Sequence, residues 1–282
     1  MKIAIVYFSA TYVTKTYVDV ISQELQAQGC ETALINVTSL GSREMHIPFG
    51  DFDGVIFGFP VYSDYAPSVI NDWLKTLDGA GMRCGMFFTY GGRTTGYAHF
   101  HTKLLLEGAG FSVLFSAEFL GPHSYNLGGW RLLTDRPNEK DIAVTKCYAR
   151  LVIERFAMAS APVFRIQRPF GYYQSLQALA QRKERTELRW PHPGRFGEDC
   201  QMCMRCETEC PTGAFDALSG TANLATCIHC MHCIAICPDG VILTEEQKKI
   251  TTEAFLENCH LTGEMLATKK SKIITEPWDT VF

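Results

Sequence analysis

The chain has no run of eighteen apolar residues, so no segment reads as a membrane-spanning helix. Charge is modest, with 20% charged residues and a net charge of −4, which excludes bulk attraction to nucleic acid. No Gly-x-Gly-x-x-Gly follows a strand. Gly79-Ala80-Gly81 comes before one and has the wrong spacing after it, so direct use of a nicotinamide dinucleotide is not indicated. The N-terminal Met1–Phe8 reads as a strand with no cleavage site behind it rather than as an export signal, and a cytoplasmic setting is expected.

Cysteine is abundant instead, with 12 in 282 residues. Eight of them form two matching runs. The first is Cys200, Cys203, Cys206 and Cys210, followed by Pro211. The second is Cys227, Cys230, Cys233 and Cys237, followed by Pro238. This repeated spacing suits two four-iron clusters. A tight loop wraps three corners of each cube, and the last cysteine of each run ligates the other cluster. Cys200, Cys203, Cys206 and Cys237 are therefore expected to hold one cluster. Cys227, Cys230, Cys233 and Cys210 are expected to hold the second. Zinc fits less well, because a tetrahedral site built from two Cys-x-x-Cys pairs has no use for a third cysteine. Cys30, Cys84, Cys147 and Cys259 are scattered and read as buried structural thiols. His229 and His232 sit between cluster ligands. They read as solvent-facing spacers, with a hydrogen bond to cluster sulfur as the alternative.

The length fits two domains. The first 160 residues alternate strand and helix. Strands are expected at Lys2–Phe8, Glu31–Asn36, Phe52–Phe59, Met82–Tyr90 and Phe111–Leu120. Helices are expected at Thr14–Gln28, at Pro67–Leu77, through Leu104–Leu106 and at Asn138–Phe156. Such alternation makes a doubly wound α/β fold with a five-stranded parallel sheet in the order 2-1-3-4-5. A ligand is then expected at the carboxyl ends of strands 1, 3 and 4.

Residues 161–195 form a basic, aromatic connecting segment. From Arg165 to Arg195 it has seven basic and two acidic residues, and it includes Phe170, Tyr172, Tyr173 and Trp190. A short helix is expected near Gln174–Glu187, then a Pro/Gly linker around Pro191. From Phe196 to Glu245 the count is one basic and seven acidic. The basic segment is therefore expected to pack on this acidic module or on an acidic redox partner rather than on nucleic acid. Residues 246–282 form a tail with a helical stretch over Glu246–His260, ending in Trp278 and Phe282. It is expected to pack on one of the domains or on a second subunit.

Three loops at the expected strand ends carry the second signal. Ser9, Thr11 and Thr14 place hydroxyls at a helix N-terminus, as a phosphate site requires, although one of them serving as an ordinary cap is the simpler reading. Pro60, Val61, Tyr62 and Ser63 follow strand 3, and Thr89, Tyr90, Gly91 and Gly92 follow strand 4. A flat flavin fits between loops of this kind, bordered by Tyr62 and Tyr90. These segments, with Gly121-Pro122-His123-Ser124-Tyr125-Asn126, give the chain a family resemblance. Residues 1–160 resemble a flavodoxin-like domain and residues 196–245 a bacterial two-cluster ferredoxin. The whole chain resembles the flavodoxin–ferredoxin fusion proteins of anaerobic bacteria and archaea.

The resemblance implies FMN in the first domain, held also by Tyr125 and Asn126, and one-electron transfer between flavin and clusters. The expected partners are ferredoxins or other iron–sulfur or flavin proteins, and no catalytic residue is assigned. The chain departs from the family at Tyr12 and Val13, where flavodoxin phosphate loops carry Gly-Asn. A β-branched residue at a positive φ is strained. The loop is thus expected to take another path with Tyr12 covering the phosphate, or to leave the domain without flavin. Three readings stay open: an electron relay, a reductase whose substrate pocket is shaped by His123 and Leu127–Trp130, and a ferredoxin with a flavin-free docking domain.

Overall fold

A computed structural model of the chain describes residues 1–182, 192–244 and 251–275. Its first unit is a parallel sheet of β1 (Lys2–Tyr7), β2 (Glu31–Asn36), β3 (Gly54–Pro60), β4 (Arg83–Tyr90) and β5 (Ser112–Leu120). The strand order is 2-1-3-4-5, as expected for a flavodoxin-like doubly wound sheet. Helices α1 (Val13–Ala27) and α4 (Glu139–Ala157) cover one face, and α2 (Ser68–Leu74) and α3 (Ala98–Gly108) the other. Alternation along β1 sorts the core: Ile3 and Ile5 join the α1/α4 side, Ala4 and Val6 the α2/α3 side. Gly58 of β3 is required by a close approach, since a Cβ there would lie 2.2 Å from Cζ of Phe87.

The sheet has a sixth strand that the sequence pattern does not announce. In the tail, α8 (Thr252–Asn258) and α9 (Gly263–Thr268) lead to β10 (Lys272–Ile274), which pairs antiparallel with β5. Asp141 anchors it. This carboxylate is 1% exposed and accepts hydrogen bonds from Arg136 at 2.8 Å, the Asn138 backbone at 2.9 Å and the Ser271 hydroxyl at 2.6 Å. Ser271 in turn accepts from the Leu120 backbone at 3.0 Å. Glu118 of β5, also buried, faces Lys272 at 3.2 Å. The tail therefore packs on the first domain. Trp278, Phe282 and the start of the expected helix at Glu246 lie outside the described residues.

The connecting segment divides between the two units. Residues 192–195 join the cysteine-rich module, where Pro193–Arg195 pairs with Ile242–Thr244 and His192 meets His229, and the part up to Arg182 packs on the first domain. Phe164 is fully buried there, and α5 (Tyr172–Arg182) begins with Tyr172, whose hydroxyl meets Nδ1 of His101 at 2.7 Å. Phe170 is 91% exposed and Tyr173 also faces outward. Glu187, Trp190 and Pro191 lie outside the described residues.

Burial pushes His101 down to about 4, so it stays neutral in the fold while the unfolded chain takes up a proton near pH 6.5. The unfolded state binds more protons between those values, so stability falls as pH drops from about 6.5 to 4 and the His101 contribution levels off below. Urea midpoints across that range should show this slope, and it should be reduced in His101→Gln. An unchanged slope in the variant would remove His101 from the account.

The second unit is a small antiparallel sheet of β6 (Pro193–Arg195), β7 (Phe215–Asp216), β8 (Thr221–Ala222) and β9 (Ile242–Thr244), in the order β7-β8-β6-β9. It therefore begins a few residues before 196, because β6 pairs with β9. Short helices α6 (Arg205–Thr208) and α7 (His232–Ile236) follow the two cysteine loops. The core is slight: Phe215, Val241 and Ile242 pack against cysteine side chains. No described helix of the chain is long and apolar enough to cross a membrane.

Candidate functional site

The loops after β1, β3, β4 and β5 converge on one cleft of about 450 Å³, within the range of small-ligand sites. Ser9, Thr11, Val13, Thr14, Pro60, Val61, Tyr62, Ser63, Thr89, Tyr90, Gly91 and Tyr125 all line it. Twelve residues proposed from sequence thus meet at one place, at the carboxyl ends of the strands.

Three others do not line it. Asn126 holds its own loop closed, donating to the Leu132 carbonyl at 2.9 Å and accepting from the Leu132 backbone at 3.0 Å. Gly92, at φ 90°, turns the chain where a Cβ would press on Leu266 and Leu133. Tyr12 is 47% exposed, and its phenol lies near Arg205 of the cysteine-rich module rather than over the cleft.

The phosphate-loop expectation needs correction as well. The left-handed residue is Tyr12, at φ 65° and ψ −7°, while Val13 already belongs to α1. The strain therefore falls on Tyr12, and Val13 instead packs where a Cβ on Gly121 would lie 2.2 Å away. The hydroxyls are organised: Ser9 Oγ accepts from the Lys15 backbone at 3.0 Å, and Thr14 and Thr89 share a hydrogen bond of 2.8 Å. Relieving the left-handed tyrosine is worth roughly 1–2 kcal/mol, partly offset by the freer unfolded chain of glycine. Tyr12→Gly is expected to raise stability by up to about 1 kcal/mol in urea unfolding. A loss would mean that the packing of the Tyr12 side chain outweighs the strain.

The cleft has walls that the sequence pattern does not reveal. Asp64 and Arg93 face each other across it at 3.2 Å. Phe255, Asn258 and Cys259 come from the tail, and Ile228 and His229 from the second cysteine loop. No local motif marks these; they arrive through the tail's return and the docking of the second unit. His123 stacks near Trp130, and its Nδ1 accepts from the Tyr125 backbone at 3.1 Å. Burial pushes it down to about 4, so it is neutral with its proton on Nε2.

The cysteines gather crosswise. Cys200, Cys203, Cys206 and Cys237 line one small cavity with Phe215 and Ile242. Cys210 interacts electrostatically with Cys227, Cys230 and Cys233. The two loops share a backbone shape despite different residues. Met202 and His229, one residue before the second cysteine of each run, have φ of 53° and 52°. Met204 and Met231, one residue after it, have φ of 62° and 61°. Left-handed non-glycine residues persist where the surroundings over-determine them, typically at functional sites. Backbone N–H groups of His229 and His232 point at the Cys227 and Cys230 thiols. Burial pushes Cys230 up to about 12, so its ionised form needs a compensating positive group. Among the described residues, no three His, Cys, Asp or Glu side chains converge as a single metal ion requires.

Neither spacer histidine simply faces solvent. His232 is buried and donates from Nδ1 to the Ala10 carbonyl at 2.7 Å. His229 is half-buried, with Nε2 2.9 Å from Nδ1 of His192. Of the other thiols, Cys30 and Cys84 are buried as expected, but Cys147 is exposed and Cys259 borders the cleft.

No family model matches the chain, and no curated protein matches it. Among solved structures, the first part of the chain is similar to an archaeal flavodoxin at 16% identity, covering 56% of this chain and 100% of that one with a TM-score of 0.41. It is similar to flavodoxin 2 of Bacillus cereus at 19% identity, 55% and 99% coverage and a TM-score of 0.43. A flavone reductase gives 14% identity, 58% and 66% coverage and a TM-score of 0.44.

Proposed function

We propose that the protein transfers electrons between two [4Fe-4S] clusters and an FMN. The observation that carries this reading is the second cysteine loop, which borders the cleft formed by the flavin-type loops. The residues fit the groups they would hold. Ser9, Thr11 and Thr14 surround the N-terminus of α1, where free backbone N–H groups suit a phosphate. Tyr62 and Tyr90 border the space for the ring, and the crosswise cysteine sets match the ligand pattern of two-cluster ferredoxins. Bound clusters would supply one-electron steps and bound flavin the exchange between one- and two-electron chemistry.

The two cysteine sets differ in setting. Tyr62 and Tyr125 lie within electrostatic range of Cys230, so the second set is the one next to the flavin site. In the first set Cys203 is exposed, beside Met202. A redox partner, itself an iron–sulfur or flavin protein, is therefore proposed to meet the protein at the first set.

A reductase acting on a bound organic molecule is the second reading. It is favoured by the extension of the cleft to Trp130, Phe255, Asn258 and Cys259, beyond the loops a flavin needs. Protein purified without oxygen should contain about eight iron, eight sulfide and one FMN per chain. Eight iron with no flavin, even after incubation with FMN, would leave a ferredoxin with a docking domain. Turnover of an organic acceptor that displaces solvent from the cleft would favour the reductase.

A further inference from the structure

Hydrogen bonds tie the second cysteine set to the phosphate loop from two sides. From one side, His232, between ligands Cys230 and Cys233, donates to the Ala10 carbonyl at 2.7 Å. From the other side, Arg43 donates from Nη2 to the carbonyl of Pro211, the residue after ligand Cys210. The same guanidinium donates from Nη1 to the carbonyls of Val37 and Thr38, each at 2.9 Å. Thr38 completes the circuit, because its Oγ1 accepts from the Ser9 backbone at 2.8 Å. Both cysteine runs therefore reach the Ser9–Ala10 segment, one through His232 and the other through Arg43 and Thr38. His232 and Thr38 are buried and Arg43 is half-buried, so these bonds are at least partly shielded from solvent.

We infer that His232 and Arg43 are positioning residues that couple FMN binding to assembly of the cluster beside the cleft. This rests on the reading that both groups are bound. The physical basis is conformational order. The second unit has a slight core, and the cysteine loops hold several left-handed residues, so a bound cluster would fix their shape. Only a fixed loop places the His232 ring and the Pro211 carbonyl at hydrogen-bonding distance from the first domain. Those bonds in turn hold Ser9 and Ala10 in the conformation that receives a phosphate. Coupling of this kind is reciprocal: FMN must favour retention of the cluster by the same factor by which the cluster favours FMN.

The test is FMN titration of the full-length, flavin-stripped protein, followed by flavin fluorescence, with clusters loaded and after removal by chelator. His232→Phe keeps the bulk and loses the donor, His232→Asn restores an N–H near the position of Nδ1, and Arg43→Met breaks the other tie. One buried hydrogen bond to this loop corresponds to a loss of about tenfold in affinity. The expected result is FMN affinity about tenfold weaker in loaded His232→Phe, near wild type in His232→Asn, and weaker again in chelated wild type. FMN should also raise the fraction of iron retained at a fixed chelator concentration in the wild type but not in His232→Phe. Equal FMN affinity in loaded and chelated wild type would overturn the coupling and leave the two-cofactor reading standing. That comparison decides the matter if His232→Phe and Arg43→Met do not fold. Failure of the loaded wild type to bind FMN at all would overturn both.

Discussion

Cys210→Ala is expected to leave about four iron per chain and to remove the cluster on the cleft side, although Cys210 belongs to the first run. Cys206→Ala, four positions earlier in the same run, should remove the other cluster. The difference follows from where the chain sends these side chains. Cys206 faces the cavity it shares with Cys200, Cys203 and Cys237. Cys210 is carried past the end of α6 and lies within electrostatic range of Cys227, Cys230 and Cys233. Each variant should lose its own cluster's signal in electron paramagnetic resonance, and the two remaining spectra should differ. With a protein donor, reduction of the flavin should slow in both variants. Only Cys210→Ala should also weaken FMN binding, because Pro211 is the acceptor for Arg43. Identical residual spectra in the two variants would mean that each run holds its own cluster, and the crosswise assignment would fall.

Asp141→Ala is expected to cost about 3–5 kcal/mol, the usual result of stripping one partner from a buried ion pair. The carboxylate does three things at once. It balances Arg136, closes the first turn of α4 by accepting from Asn138, and accepts from Ser271 at the start of β10. The reciprocal bonds between Asn138 and Asp141 form a capping box, itself worth about 1 kcal/mol. Urea unfolding should show the loss of stability, and limited proteolysis should cut the tail near β10 first. Asp141→Asn, which keeps the shape but leaves Arg136 only its longer pair with the exposed Asp135 at 3.8 Å, should be only slightly milder. If the Ala variant unfolds at the wild-type midpoint, Asp141 does not hold the tail. Because the tail supplies Phe255, Asn258 and Cys259 to the cleft wall, its release should also open the site to solvent.

Much of this was legible because the signals were local. The five parallel strands were visible in the alternation of strand and helix, and Glu31–Asn36 coincides with the expected span. The cysteine spacing and the three loops at the strand ends needed only a few residues each. What was hidden depends on distant parts of the chain meeting. Lys272–Ile274 is three residues long and has no period of its own; pairing with β5 and the Ser271–Asp141 bond make it a strand. Tyr172 became a packing residue because His101, on a helix of another segment, was there to receive it. His232 looked like a spacer because its acceptor, the Ala10 carbonyl, lies 222 residues away. At Tyr12 and Val13 the family pattern located the irregular turn correctly. The left-handed conformation belongs to the first of the two, since Val13 already contributes to the helix.

The return of the tail to β5 changes what kind of protein this is. Residues before and after the cysteine-rich unit belong to the same sheet, so that unit is an insertion within one domain, not a bead at the end of a string. Both of its ends are moored, and the His232 and Arg43 bonds moor its middle. An appended carrier can swing out, collect an electron elsewhere and swing back. An inserted one is tethered to the same sheet from both sides, like a component with two leads to one board. Under the proposed electron transfer, the His232 and Arg43 bonds would keep the second cysteine loop beside the cleft, and electrons would be delivered by partners that come to it.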